Sequence, residues 1–159
     1  MSEVKITSVR FKNFKAFEQF SVSLQDFNVL VGPNNSGKST ILNAFRVVAA
    51  GLRRAYARRP ETVPAPGGGQ AQGYPVPTDD IPMSFENVHH DYDDTRSSTI
   101  TFHFSNKNQL VLFFTGDHKC WMIPETDKGS VRSPSTFKRQ FPVQVDFIPV
   151  LGPLEHNEP

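Results

Sequence analysis

The chain is poor in cysteine and has no long apolar run. Its single cysteine, Cys120, can form no intrachain disulfide, and the Cys and His residues show no metal-ligand spacing. No apolar segment approaches the roughly 18 residues of a membrane-spanning helix, and the first residues lack the apolar core of a signal peptide. These features argue against a disulfide-stapled secreted domain, and we expect a soluble, cytoplasmic protein without a membrane partner.

Neither sign of charge dominates the composition. The 159 residues include 17 Lys and Arg against 16 Asp and Glu, for a formal net charge of +1. This balance by itself neither favours nor excludes a nucleic-acid partner. A chain of this length buries one core, so one domain is expected, and most of its 14 phenylalanines are expected in that core.

One segment carries a specific chemical pattern, G-x-x-x-x-G-K-S followed by Thr. It comprises Gly32, Pro33, Asn34, Asn35, Ser36, Gly37, Lys38, Ser39 and Thr40. Its glycines let successive backbone N–H groups turn inward around phosphate oxygens. Lys38 is expected to reach the β- and γ-phosphates of a nucleoside triphosphate, and the Ser39 hydroxyl to bind Mg²⁺. The pattern therefore predicts a phosphate-binding loop.

This motif indicates a phosphate-binding loop only when a strand precedes it and a helix follows it. The apolar run 27–31 predicts a buried strand before it. Apolar residues recur at helical spacing after it and predict a helix from about residue 38 to about residue 58. The alternative is a Gly/Asn/Ser turn that matches by chance, and the two flanks favour the phosphate loop over it.

Alternating apolar and polar residues predict further strands. They cover residues 4–14, 20–24, 100–104, 110–114, about 118–123 and 143–150. A change of phase between Ile6 and Val9 indicates a bulge in the first of them. The polar turn at 105–108 makes the pair around it a β-hairpin.

Two segments are predicted to lack regular structure. Prolines and the Gly67-Gly68-Gly69 run interrupt any periodicity over 60–82, which we interpret as a flexible insertion. Residues 127–140 are polar and are predicted to be a loop. Strands, then the phosphate loop and its helix, then antiparallel strands indicate a mixed α/β fold rather than a doubly wound sheet.

The segments around the loop resemble a known family. Residues 9–17, centred on Asn13, Phe14 and Lys15, precede the run 28–40. This pair is similar to the N-terminus of ABC-type ATPases of the SMC/RecF/OLD group, in which "NF" and a basic residue precede "GxNxSGKST". The tail 147–155 resembles a segment of bacterial members that are often described as AAA-family ATPases of phage defence or DNA repair.

The resemblance implies that residues 1–159 are the first lobe of an ABC-type P-loop ATPase head with an antiparallel β-subdomain. The loop would bind ATP, Ser39 would hold Mg²⁺, and Asn13 and Lys15 would lie near the base or phosphates. For Phe14 and Phe17 a place in the core is the favoured interpretation, and Lys15 could equally be a solvated charge. Members pair two heads around ATP, so a homodimer is implied, with DNA and a nuclease or effector protein as further candidate partners.

The sequence does not show the residues that cleave the γ-phosphate. A Walker B strand needs an apolar run followed directly by Asp and a catalytic Glu. Thr115 and Gly116 separate the run 110–114 from Asp117, and only two apolar residues precede Asp146 in line. We therefore expect no catalytic residue here, a second lobe elsewhere in a longer ATPase, and almost no hydrolysis by these 159 residues alone.

Three functions are compatible with these patterns. The leading hypothesis is ATP binding that, with the second lobe, drives hydrolysis and head dimerisation in a DNA-repair or anti-phage ATPase. The alternative is a non-hydrolysing, nucleotide-dependent module that docks a partner protein. A small P-loop kinase would need parallel strands after the helix, and the predicted hairpin argues against it.

Two charged segments have both a plain and a functional interpretation. Basic residues crowd the second half of the predicted helix: Arg46, Arg53, Arg54, Arg58 and Arg59. Compensation of the helix dipole on a solvated face is favoured over a DNA-facing patch. The aspartates at 91, 93 and 94 lack calcium-loop spacing and are interpreted as a solvated acidic loop.

Overall fold

The structure is a computed structural model and describes residues 3–15, 17–31, 37–79, 81 and 97–147. In that part of the chain the elements run β1 Ile6–Phe14, β2 Phe17–Ser23, α1 Lys38–Ala57, β3 Glu61–Pro64, β4 Gln70–Pro75, β5 Ser98–Phe104, β6 Gln109–Phe114, β7 Cys120–Glu125 and α2 Pro134–Gln140. The strands form one sheet in the order β2-β1-β5-β6-β7-β4-β3. Every described pairing is antiparallel, which confirms the mixed α/β prediction with a large antiparallel sheet.

The main core lies between one face of this sheet and helix α1. Alternate residues of β1, β5 and β6 point into it, among them the fully buried Phe11, Phe102 and Leu112. Helix α1 approaches the sheet closely at Gly51, where a Cβ atom would lie 2.6 Å from the Met122 sulfur in β7. The inward-facing residues of the strands, which alternate along the chain, and the apolar face of the helix therefore pack together in one layer.

A smaller apolar cluster covers the other face of the sheet at β6 and β7. Val111 and Phe113 pack there against Val63 of β3 and Ile123 of β7, with Trp121 beside them. Strand β6 is thus buried on both faces, which explains why its sequence is continuously apolar rather than alternating.

The segment 60–82 was wrongly predicted to be a flexible insertion without regular structure. Residues 61–75 form the hairpin β3–β4, and Val63 anchors it with 1% of its surface exposed. Its turn contains three glycines with φ of 82°, 101° and 78°, backbone angles that residues with a Cβ rarely adopt. The glycines that seemed to break structure reverse the chain between two strands.

The loop predicted at 127–140 was also partly wrong, because residues 134–140 form helix α2. Ser133 caps it by accepting a hydrogen bond from the Thr136 N–H, and Pro134 occupies the first turn. Phe137 is fully buried against α1 through Tyr56, with ring centroids 5.5 Å apart. The buried Phe137 and Phe141 rings and the hydrogen bond from the Tyr56 hydroxyl to the Phe141 carbonyl hold this short helix on the core.

Two predicted strands do not pair in the described structure. Residues 27–31 and 143–147 have no strand assignment, and Phe27 and Val31 are each 83% exposed. Val143 and Val145 pack at the edge of the core instead. Apolar character alone predicted strands here, but a strand also needs a neighbouring strand to pair with its N–H and C=O groups. The last three residues of the second predicted strand, 148–150, lie outside the described residues.

Candidate nucleotide-binding site

The predicted phosphate loop is described only at its C-terminal end. Gly32, Pro33, Asn34, Asn35 and Ser36 lie outside the described residues. Gly37 is the N-cap of α1, and Lys38 is the first helical residue. The helix that the motif requires is therefore present at the predicted position, running to Ala57, whereas the preceding residues 27–31 are not a strand.

Two independent features require a glycine at position 37. Its φ is 91°, in the left-handed region that residues with a side chain avoid. In addition, a Cβ atom at this position would lie 2.5 Å from Cζ of Phe17. The second glycine of the G-x-x-x-x-G-K-S pattern thus lets the chain turn into α1 directly beneath an aromatic ring.

The start of α1 is suited to an anion. Its N-cap makes no side-chain hydrogen bond, and no acidic residue lies in its first turn, so its positive dipole end is not neutralised by its own side chains. Ser39 is exposed, whereas Thr40 is 8% exposed and faces the core. Of the two predicted hydroxyls, Ser39 is the one that can reach a ligand; the role of Thr40 stays a prediction.

The turn between β1 and β2 lies beside this helix start. Phe14, the last residue of β1, pairs with Phe17, the first residue of β2, beside the turn that joins the two strands. Phe14 is fully buried, as predicted, and its ring centroid lies 4.9 Å from that of Phe114. Phe17 is partly buried, stacks on Phe20 at 4.5 Å and contacts Gly37. The hairpin therefore places the Asn13–Lys15 turn and the end of the phosphate loop at the same end of the sheet.

Asn13 and Lys15 both have an unusual backbone conformation, with φ of 50° and 48°. Asn13 is 4% exposed, and its main-chain carbonyl accepts a hydrogen bond from the Ser98 hydroxyl. An asparagine tolerates positive φ, but for a lysine it costs about 1–2 kcal/mol. Burial lowers the pKa of the Lys15 ammonium, because desolvation disfavours its charged form.

Sequence reasoning missed two residues of this region. Phe17 was interpreted as core alone, and its contact with Gly37 was not predicted. Ser98 was not singled out, although it holds the Asn13 turn from the neighbouring strand β5. No sequence signal links either pair, because the contacts join residues 20 and 85 positions apart.

The other candidate residues are engaged elsewhere in the structure. The Asp117 carboxylate accepts a hydrogen bond from the Thr115 hydroxyl and lies 3.6 Å from the Lys119 ammonium, within the β6–β7 turn. These interactions lower the Asp117 pKa, the hydrogen bond from Thr115 most of all. Across the described ranges no group of three or more His, Cys, Asp and Glu could hold a metal; the aspartates at 91, 93 and 94 and the tail from 148 lie outside them.

A mixed α/β domain with a left-handed glycine and a Lys-Ser pair opening the following helix has the features of a nucleotide-binding domain. A family model described as an AAA ATPase domain matches residues 4–145, and the chain belongs to that family. The membership supports ATP binding and hydrolysis as the activity of the domain. No curated protein matches the chain. Among the described helices, none is long and apolar enough to cross a membrane.

Proposed function

We propose that the chain binds Mg-ATP between the phosphate loop, Gly32–Thr40, and the Asn13–Lys15 turn. The close approach of the Phe17 ring to Gly37, where a Cβ atom would lie 2.5 Å from Cζ, carries this proposal, because it brings the hairpin to the N-cap of α1. Lys38 would neutralise the β- and γ-phosphates, and Lys15 would add a second positive charge from the hairpin side. The strained backbone and lowered pKa of Lys15 support a binding role over that of a solvated surface charge.

The exposed Ser39 hydroxyl would be the protein ligand of Mg²⁺. Mg²⁺ prefers oxygen ligands and usually keeps several waters while it bridges phosphate oxygens. One hydroxyl beside the phosphates therefore fits this ion, which would neutralise charge on the phosphates when bound. Asp117 is already engaged in a turn, so it is not part of the proposed site.

We propose further that hydrolysis needs a second lobe that carries the Walker B and signature residues, as in ABC-type ATPases of the SMC/RecF/OLD group. The exposed apolar segment 27–31 supports this, since Phe27, Val29 and Val31 are 83%, 66% and 83% exposed. A parallel strand from the second lobe would bury them and order the approach to the phosphate loop. ATP would then join two heads, in a DNA-repair or anti-phage system with a nuclease or effector partner.

Substitution of Lys38 tests the nucleotide site. Lys38→Ala should weaken binding of a fluorescent ATP analogue by about 10- to 100-fold, the value of a charge-assisted hydrogen bond. Lys119→Ala, which removes a cation from the β6–β7 turn, is the matched control and should bind as the wild type does. Circular dichroism should show the same secondary structure in all three proteins.

Equal affinity in Lys38→Ala and the wild type would refute the proposed site. Phosphate release separates the leading function from its alternative. A protein that binds ATP and releases no phosphate even with its second lobe present would be a non-hydrolysing docking module.

A further inference from the structure

The near-neutral net charge conceals a strong segregation of charge along the chain. Residues 27–60 and 128–145 contain ten of the 17 Lys and Arg and none of the 16 Asp and Glu. Seven of these ten cations are arginines. The rest of the chain is accordingly acidic.

The fold brings these two acid-free runs together. Helix α2 packs on the C-terminal half of α1, and the Tyr56 hydroxyl donates a hydrogen bond of 2.7 Å to the Phe141 carbonyl. The cations at this junction are partly or fully exposed, and we call them the basic surface: Arg53, Arg54, Arg58, Arg59, Lys138 and Arg139. Neither helix contains an acidic residue.

A cleft of about 520 Å³ opens within the basic surface. Arg53, Lys138, Tyr56 and Val143 are among the residues that line it, and the Lys138 ammonium lies 6.0 Å from the Tyr56 ring centroid. Asp146 is a carboxylate in the lining, and it accepts a hydrogen bond from the Gln144 amide at 2.8 Å. In the described ranges no ion pair involves a member of the basic surface, and Asp146 is the one carboxylate among the described lining residues of the cleft.

Helix-dipole compensation does not account for this arrangement. That effect is confined to the last turn of a helix, where only Arg54 is found in α1. Arg53 and Lys138 lie on a cleft between two elements, and Arg58 and Arg59 follow the helix end. A solvated face would also be expected to mix both signs of charge.

We propose that the basic surface binds the phosphate backbone of nucleic acid. Arginine is the side chain that best matches phosphate oxygens, because its guanidinium donates two parallel hydrogen bonds. The contacts would be to the backbone and independent of base sequence.

Fluorescence anisotropy with a labelled DNA duplex tests this surface, over a series of NaCl concentrations and without nucleotide. The variant Arg53→Gln/Lys138→Gln should bind about tenfold more weakly, and the slope of log Kd against log salt should fall by about two. The variant Lys12→Gln/Lys119→Gln also removes two exposed cations but lies outside both acid-free runs. It should retain the affinity and the salt slope of the wild type.

Three outcomes would overturn the proposal. The proposal is wrong if the wild type binds no duplex, or if both double variants lose affinity equally. It is also wrong if the protein binds polyglutamate or anionic lipid vesicles as tightly as it binds DNA. The last result would assign the basic surface to an acidic protein or a membrane surface. Because ATP is not present, failure here leaves the proposed nucleotide site standing.

Discussion

Replacement of Gly37 by alanine tests whether the end of the phosphate loop is built as the structure indicates. The substitution adds one methyl group at a residue whose φ is 91°, and places that methyl 2.5 Å from Cζ of Phe17. The ring cannot simply swing away, because it stacks on Phe20 at 4.5 Å and contacts Phe11 at 5.1 Å between centroids. Either the turn or the aromatic cluster must therefore shift.

The expected cost has two parts and one offset. A left-handed backbone costs an alanine about 1–2 kcal/mol, and overpacking against the ring costs about 1–3 kcal/mol. Alanine also lowers the conformational entropy of the unfolded chain relative to glycine, which stabilises the folded protein by about 0.4–1 kcal/mol. The net loss in the free energy of unfolding should be about 1–4.5 kcal/mol, a large share of the stability of a small domain.

Urea unfolding followed by the fluorescence of Trp121, the single tryptophan, measures this loss. The variant Phe17→Leu removes most of the ring, so in its background Gly37→Ala should cost only the backbone share, about 1–2 kcal/mol. ATP affinity should fall in Gly37→Ala, because the loop end moves with the turn. A Gly37→Ala protein as stable as the wild type, or an equal cost in both backgrounds, would refute the reasoning.

Two further predictions concern the core. Gly51→Ala should destabilise the protein by up to about 2 kcal/mol, because overpacking against Met122 exceeds the gain of about 1 kcal/mol in helix propensity. In a Met122→Ala background, the same change should become stabilising in urea unfolding. Burial raises the pKa of Tyr74 to about 12, so its contribution to stability is complete below pH 10 and is lost as the pH rises towards 12. The urea midpoint of the wild type should therefore fall between pH 8 and pH 11, and it should fall less in Tyr74→Phe. An equal fall in the wild type and in Tyr74→Phe would contradict this assignment.

The elements that the sequence predicted correctly are those with a clear period. Helix α1 was expected over 38–58 and is observed as Lys38–Ala57, because its apolar residues repeat along one face. The hairpin of β5 and β6 was expected because both strands alternate around a polar turn, and the register shift between Ile6 and Ser8 confirms the bulge in β1. In these elements local pattern and tertiary burial agree.

The remaining elements depend on contacts that no local pattern contains. The hairpin β3–β4 exists because Val63 reaches an apolar cluster on β6 and β7, and the sequence around it shows only prolines and glycines. Conversely, the run 27–31 is apolar and still has no strand partner in the described structure. Of the candidate site, the loop end and the helix start followed from the motif, whereas the Phe17–Gly37 and Ser98–Asn13 contacts required the fold.

The two proposed binding regions lie at opposite ends of one rigid element. Helix α1 has 20 residues and is therefore about 30 Å long, with Lys38 at its start and the basic surface at its end. Gly51 fits closely over Met122 near its middle, so α1 cannot slide along the sheet without overpacking. An effect of ATP on nucleic-acid binding is then expected from movement of the whole domain rather than from sliding of α1, and nucleic acid would change ATP affinity by the same factor. Pairing of two domains around ATP supplies such a movement, whereas a displacement of α1 within one domain does not.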